Sequence, residues 1–175
     1  LNKNFYNYLN NNASKVLNLK SPFIEKAILE SCKIKKLIVE KDEKEKGIRK
    51  ILNFGHTFAH AYEATLGFSK KLNHGEAVIL GISTALKFSF NNKLIKKDEY
   101  QSIIKHISKM KLPSNIKNYF SIKDLNRIIF FMIRDKKNNT KKINLILIKK
   151  IGSMIIDNQY EVIKIKKFLK QELTN

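Results

Sequence analysis

Three of the chain's four histidines, His56, His60 and His74, fall within one stretch of 19 residues. His56 and His60 are four apart, so on a helix their side chains leave the same face, one turn above the other. His74 follows a break at Gly67 and heads the next segment as His-Gly-Glu. Imidazoles gathered in this way can hold a divalent metal, move protons near neutral pH, or do both. A catalytic zinc typically takes three protein donors and keeps one position open. Two histidines and a carboxylate would make such a set, and Glu63 and Glu76 are the carboxylates nearest in sequence. Gly55 precedes His56 inside a helical pattern, where glycine costs about 1 kcal/mol, so a ligand or another backbone should approach closely there. Gly75 leaves similar room beside His74.

The elements that must position these groups read as mainly α-helical. Ser21-Pro22 supplies a cap and a proline at the first helical position, followed by an apolar stripe through Phe23, Ile24, Ala27, Ile28, Ile34, Leu37 and Ile38. That helix should end in the charged stretch 41–46, closed by Gly47. A second helix is expected from about Ile48 to Leu66, with Gly67 as a left-handed terminator. A third begins near His74 and runs to Asn91-Asn92, its small residues Gly75, Ala77, Gly81, Ser83 and Ala85 allowing close approach by a neighbour. Lys97 to Met110 forms a fourth, stopped by Leu112-Pro113, and Ser121 to Ile133 a fifth. The period then changes to two, so residues 142–148 and 151–156 read as one short β-hairpin, before a last helix from about Gln159 to Leu173. Neither a repeat nor a linker divides the chain, which is expected to be one helical domain over residues 1–175. It carries no strand-GxGxxG-helix unit and no Walker loop.

Composition narrows the classes. A net charge of +20 would suggest nucleic acid. Yet 32 lysines accompany only three arginines (Arg49, Arg127 and Arg134), whereas base and phosphate readout favours the arginine fork. Lysine is spread over nearly every segment, as expected of a solvated surface with a few lysines around an anionic small molecule. No nucleic-acid or membrane partner is therefore expected, since the apolar runs are too short to span a bilayer. The single cysteine, Cys32, excludes an internal disulfide and fits a reducing, cytoplasmic setting. The chain opens on Leu1 in an already amphipathic turn, and is expected to lack its natural N-terminus.

Residues 49–64, Arg-Lys-Ile-Leu-Asn-Phe-Gly-His-Thr-Phe-Ala-His-Ala-Tyr-Glu-Ala, followed by Leu72-Asn-His-Gly-Glu-Ala77, closely resemble the signature of the 3-dehydroquinate synthase family. The likeness extends upstream through Lys35 and Asp42-Glu43 to Gly47-Ile48-Arg49, and downstream to Arg134-Asp-Lys-Lys137 and the hairpin near Ile151-Gly152. It implies the helical C-terminal domain of that fold, with the NAD-binding α/β domain missing from this chain. It further implies His56 and His74 as ligands of a divalent metal, zinc or cobalt, with a third ligand, a glutamate, upstream of Leu1. His60 matches a catalytic histidine of the substrate pocket, with a proton-transfer or phosphate-contacting role. Lys35, Arg49 and Asn53 match residues holding the substrate's carboxylate, hydroxyl and phosphate groups, and Lys136, with Lys137 beside it, matches a phosphate-contacting lysine. Two departures are Ala59, where glycine is usual, and an extra residue between Gly67 and His74; neither removes a functional side chain.

The activity so implied is that of a phosphate-eliminating carbon–oxygen lyase of the shikimate pathway, which leads to the aromatic amino acids. It would be a metal- and NAD-dependent cyclase converting 3-deoxy-D-arabino-heptulosonate 7-phosphate to 3-dehydroquinate and phosphate. Its partners would be that phosphorylated keto acid, its own N-terminal domain and a second copy in a homodimer. Residues 1–175 alone are expected to have no turnover. The rivals are another sugar-phosphate cyclase making an inosose or valiolone, an iron-dependent alcohol dehydrogenase, a basic nucleic-acid-binding fragment, and a regulatory module derived from an inactive enzyme. Lys35, Arg49 and Asn53 favour a substrate with a carboxylate.

Overall fold

A computed structural model of the chain describes residues 2–134 and 142–174. Its helices, in chain order, are α1 (Lys3–Leu17), α2 (Phe23–Lys41), α3 (His56–Thr65), α4 (His74–Asn91), α5 (Lys97–Lys109), α6 (Leu125–Arg134) and α7 (Val162–Thr174). A two-stranded antiparallel hairpin, β1 (Lys142–Lys150) and β2 (Ser153–Glu161), lies between α6 and α7. The mainly helical architecture with one hairpin is as the periodicity implied. Among the described residues, no helix is long and apolar enough to cross a membrane.

The main core is built around α3 and α4. Phe58, Ala59, Ala61 and Tyr62 from α3 meet Ala77, Leu80, Ala85 and Phe88 from α4, and Ile128 and Met132 of α6 and Ile165 and Leu169 of α7 join the same cluster. β1 adds Ile143, Leu145 and Leu147, alternate residues of one strand face, as a half-buried strand requires. Tyr62 is fully buried, and its hydroxyl lies 2.9 Å from Thr84 Oγ1, which itself donates to the Leu80 carbonyl. A polar group so enclosed needs such a partner.

The expected helix from Ile48 to Leu66 is not continuous. Residues Ile48–Asn53 form a 3-10 segment, Phe54 is extended, and α3 starts afresh at His56. Gly55 causes the break: its φ of +82° is left-handed, a region that side-chain-bearing residues rarely adopt. Tertiary packing holds it there. A Cβ on Gly55 would lie 2.5 Å from Ile82 N and 2.9 Å from Gly81 C, and a Cβ on Gly81 would collide with the Gly55 carbonyl. Two glycines from separate elements thus let α3 and α4 touch backbone to backbone. Gly67 (φ +64°) follows the end of α3 in the left-handed form, as expected of a terminator.

Other boundaries shift for local reasons. Pro22 occupies the cap of α2 rather than its first turn, because the turn before it closes through Phe23 N–H to Lys20 O at 2.9 Å. Ser121 and Asp124 form a reciprocal cap around a 3-10 turn (Ile122–Asp124), so α6 begins at Leu125. β2 continues to Glu161, since its ladder with β1 holds through Ile143↔Tyr160 and Lys142↔Glu161, and this delays α7 to Val162. The register slips between Leu145 and Leu147 and again between Ile148 and Lys150, and opposite the first irregularity Asp157 adopts φ +60°.

Candidate active site

The break at Gly55 sets the geometry of the histidines. His56 opens α3, His60 stands one turn on, and His74 opens α4. Ring centroids are 5.5 Å apart for His56 and His60, and 6.1 Å for His56 and His74. An imidazole nitrogen binds zinc at about 2 Å, so two rings sharing an ion at a tetrahedral angle have centroids about 5 Å apart. The observed spacing is within a small rotation of that value, and the His60 and His74 side chains are exposed while His56 is half-buried. His56 Nδ1 lies 3.4 Å from the Phe54 carbonyl oxygen, and His74 Nδ1 donates to Glu63 Oε1 at 3.0 Å. Both Nδ1 atoms therefore face protein acceptors, which leaves Nε2 of each ring as the nitrogen with a lone pair for a cation.

The two carboxylates considered as a third donor are otherwise engaged. Glu63 is committed to His74, and Glu76 Oε2 accepts from Asn73 N–H at 2.9 Å in a capping box that starts α4. Among the described residues no group of three His, Cys, Asp or Glu is gathered to hold an ion. Two imidazoles fit the donor preference of a borderline divalent cation such as zinc or cobalt.

A cleft of about 290 Å³ opens beside the histidines, lined by Glu45, Lys50, Asn53, His56, Thr57, His60, Asn144 and Ile146. Its wall combines three elements: the 3-10 segment, the start of α3 and strand β1. Lys50 Nζ meets Asp157 Oδ1 at 2.7 Å, and Asn144 Nδ2 reaches the same oxygen at 3.3 Å, so the β2 irregularity ties the hairpin to the 3-10 segment. Asn53 Nδ2 donates to Glu45 Oε1 at 2.5 Å, while Arg49 Nε lies 4.0 Å from Glu45 Oε2. Arg49 Nη1 also donates to the Glu43 carbonyl at 2.6 Å.

The loop carrying Glu43 and Glu45 is organised by Asp42. Its carboxylate accepts from the backbone N–H groups of Lys46 (3.0 Å), Gly47 (2.7 Å) and Arg49 (3.0 Å). These bonds, that from Arg49 foremost, outweigh partial burial and hold the Asp42 carboxyl below the ordinary aspartate range.

A family profile described as 3-dehydroquinate synthase C-terminal matches residues 1–138. This chain belongs to that family. It is 59% identical over 172 residues to the 3-dehydroquinate synthase of Pelagibacter ubique (strain HTCC1062), covering 98% of this chain and 47% of that protein. It is 36% identical over 154 residues to that of Rhodopseudomonas palustris (strain TIE-1), covering 85% of this chain and 40% of that one. The chain thus spans about half the length, or less, of the curated relatives it matches.

Among solved structures, the chain resembles a 2-epi-5-epi-valiolone synthase from Streptomyces hygroscopicus subsp. jinggangensis 5008 with NAD+ and Zn2+ bound. The TM-score is 0.79 at 15% identity, covering 96% of this chain and 46% of that one. A 2-deoxy-scyllo-inosose synthase complexed with carbaglucose-6-phosphate, NAD+ and Co2+ matches at TM-score 0.63 and 22% identity, covering 85% and 40%. These likenesses bear on the fold alone.

Of the residues singled out from this family's signature, His56, His60 and Asn53 line the cleft, and His74 is outside that lining with its ring 6.1 Å from that of His56. Arg49 approaches through Glu45. Lys35 projects from exposed α2 and does not line the cleft, while Lys136 and Lys137 lie outside the described residues. Sequence reasoning missed Glu45, Lys50 and Asn144, and took Glu63 for a candidate metal donor. Glu45 sat in a charged run read only as the end of a helix. Asn144 lies on a strand whose pairing partner carries the contact to Lys50.

Proposed function

We propose that this chain is the metal- and substrate-binding part of a 3-dehydroquinate synthase acting on 3-deoxy-D-arabino-heptulosonate 7-phosphate with NAD. The observation that carries the reading is the convergence of His56 and His74, with centroids 6.1 Å apart, beside a cleft lined by His60 and Asn53. His56 and His74 would hold a divalent ion through their Nε2 atoms. When bound, that ion supplies Lewis acidity at an oxygen of the substrate. NAD would be held largely by a separate α/β domain.

The remaining roles fall to side chains of this chain. Arg49 and Asn53 already flank one carboxylate, that of Glu45, and a substrate carboxylate or hydroxyl would meet the same donors. Lys50 adds positive charge on the same wall, and Lys35, Lys136 and Lys137 are proposed to meet the phosphate or carboxylate. His60, exposed at the cleft, would pass a proton to or from the substrate. A homodimer in the cytoplasm, with no nucleic-acid or membrane partner, completes the reading.

The test is phosphate release by the intact protein from 3-deoxy-D-arabino-heptulosonate 7-phosphate. Release should require NAD, stop on chelation and return with Zn2+ or Co2+. Turnover of a sugar phosphate lacking the carboxylate, with none of the keto acid, would reassign the chain to another sugar-phosphate cyclase. Tight, salt-sensitive binding to DNA or RNA that survives loss of His56 and His74 would favour the basic-fragment reading instead.

A further inference from the structure

The Glu63 carboxylate is aimed at a candidate ligand on a neighbouring helix. Glu63 stands on α3, one turn after His60, while His74 starts α4 after the Gly67 turn. Its Oε1 accepts from His74 Nδ1 at 3.0 Å. The two side chains differ sharply in setting: that of Glu63 is only 12% exposed, that of His74 63% exposed. The carboxylate is therefore the anchored partner and the imidazole the mobile one.

We infer that Glu63 is a positioning residue for His74, holding Nδ1–H so that Nε2 faces the ion beside His56. The inference rests on the metal-site reading above. A carboxylate can only accept, so the contact fixes the His74 tautomer with its proton on Nδ1. It also restrains rotation of a ring that solvent exposure leaves otherwise loose, and raises the basicity of the other nitrogen. His56 has a backbone carbonyl in the equivalent place, at the longer distance of 3.4 Å. The two ligands are thus oriented by different devices, and the side-chain device on His74 is open to mutation. Glu63 is outside the cleft lining, so its effect passes through His74 and not through substrate.

The experiment is titration of the metal-stripped intact protein with Co2+ alone, followed by the cobalt absorption band and by calorimetry. Glu63→Ala should weaken binding about 10- to 100-fold and change the intensity of the band, the usual scale for an outer carboxylate partner. Glu63→Gln, whose amide oxygen still accepts from Nδ1–H, should recover most of the affinity; a merely structural role would not distinguish a cobalt spectrum in this way. Unfolding followed by circular dichroism checks that both variants are folded, and the glutamine variant keeps the test decisive if alanine is not. If His74→Ala loses cobalt but Glu63→Ala and Glu63→Gln both bind within two-fold of the parent, the positioning role is wrong and the metal site stands. If His74→Ala also binds like the parent, both readings fall.

Discussion

Replacing Gly55 by alanine should damage the fold far more than replacing Gly75, although each glycine adjoins a candidate metal ligand. At Gly55 two costs combine. A side chain must take φ +82°, worth about 1–2 kcal/mol for an L-residue. Its Cβ would also lie 2.5 Å from Ile82 N and 2.9 Å from Gly81 C, both backbone atoms that cannot swing aside. Overpacking of that kind costs about 1–3 kcal/mol, giving a total of roughly 2–5 kcal/mol. For a chain of this size, that lowers the melting temperature by roughly 5–15 °C. At Gly75 no heavy atom lies within 4 Å of the added carbon, and φ is not positive. Gly75→Ala should therefore stay within about 0.5 kcal/mol of the parent. The assay is thermal unfolding of the intact protein, with Co2+ titration as a second readout. Because relief of the clash must move α3 away from α4, Gly55→Ala should also weaken cobalt binding by separating His56 from His74. Equal melting temperatures for the two variants, or a Gly55→Ala protein melting within about 2 °C of the parent, would refute the backbone-contact argument.

Three further outcomes follow from separate contacts. His60→Ala should keep Co2+ affinity while losing most of the turnover, by about 100-fold or more as for loss of a general acid or base; unchanged turnover would remove its proposed role. Asp42 is held below the ordinary aspartate range, so its hold on the 42–49 loop is complete above the unfolded-state value and is lost only as pH falls through the lower folded one. Amide signals of Lys46, Gly47 and Arg49 followed against pH should report that depressed midpoint, and a midpoint at or above the ordinary value would contradict it. Thr84→Val should cost more than Tyr62→Phe: the first strands a buried hydroxyl, at about 1–3 kcal/mol, whereas the second removes it with its bond, at about 0.5–1.5 kcal/mol. Urea unfolding of both variants checks the order.

How much of this was legible in the sequence depends on the range of the interaction that decides each feature. The start of α4 is local: Asn73 and Glu76 cap each other across three residues, and the apolar stripe continues from there to the core. The Gly67 terminator is local for the same reason. The break before α3 is not. Helical periodicity runs on through Ile48, Ile51 and Leu52, and what stops it is a backbone contact with Gly81. Only the cost of Gly55 in a helix interior hinted that something would press on it, and whether ligand or backbone could not be read locally.

The same division explains the carboxylates. Spacing names Glu63 and Glu76 as acids near the histidines, but it cannot say which atom of an imidazole each will meet. Glu76 is three residues from Asn73, so the helix cap takes it before a metal can. Glu63 is eleven residues from His74, and its contact depends on how α3 and α4 pack after the Gly67 turn, a packing that the close approach at Gly55 and Gly81 helps to set. An imidazole has two nitrogens, and a site that binds an ion through one must restrain the other. The glycine contact therefore helps to set two things at once: the distance between the two candidate ligands, and the approach of the acid that aims one of them.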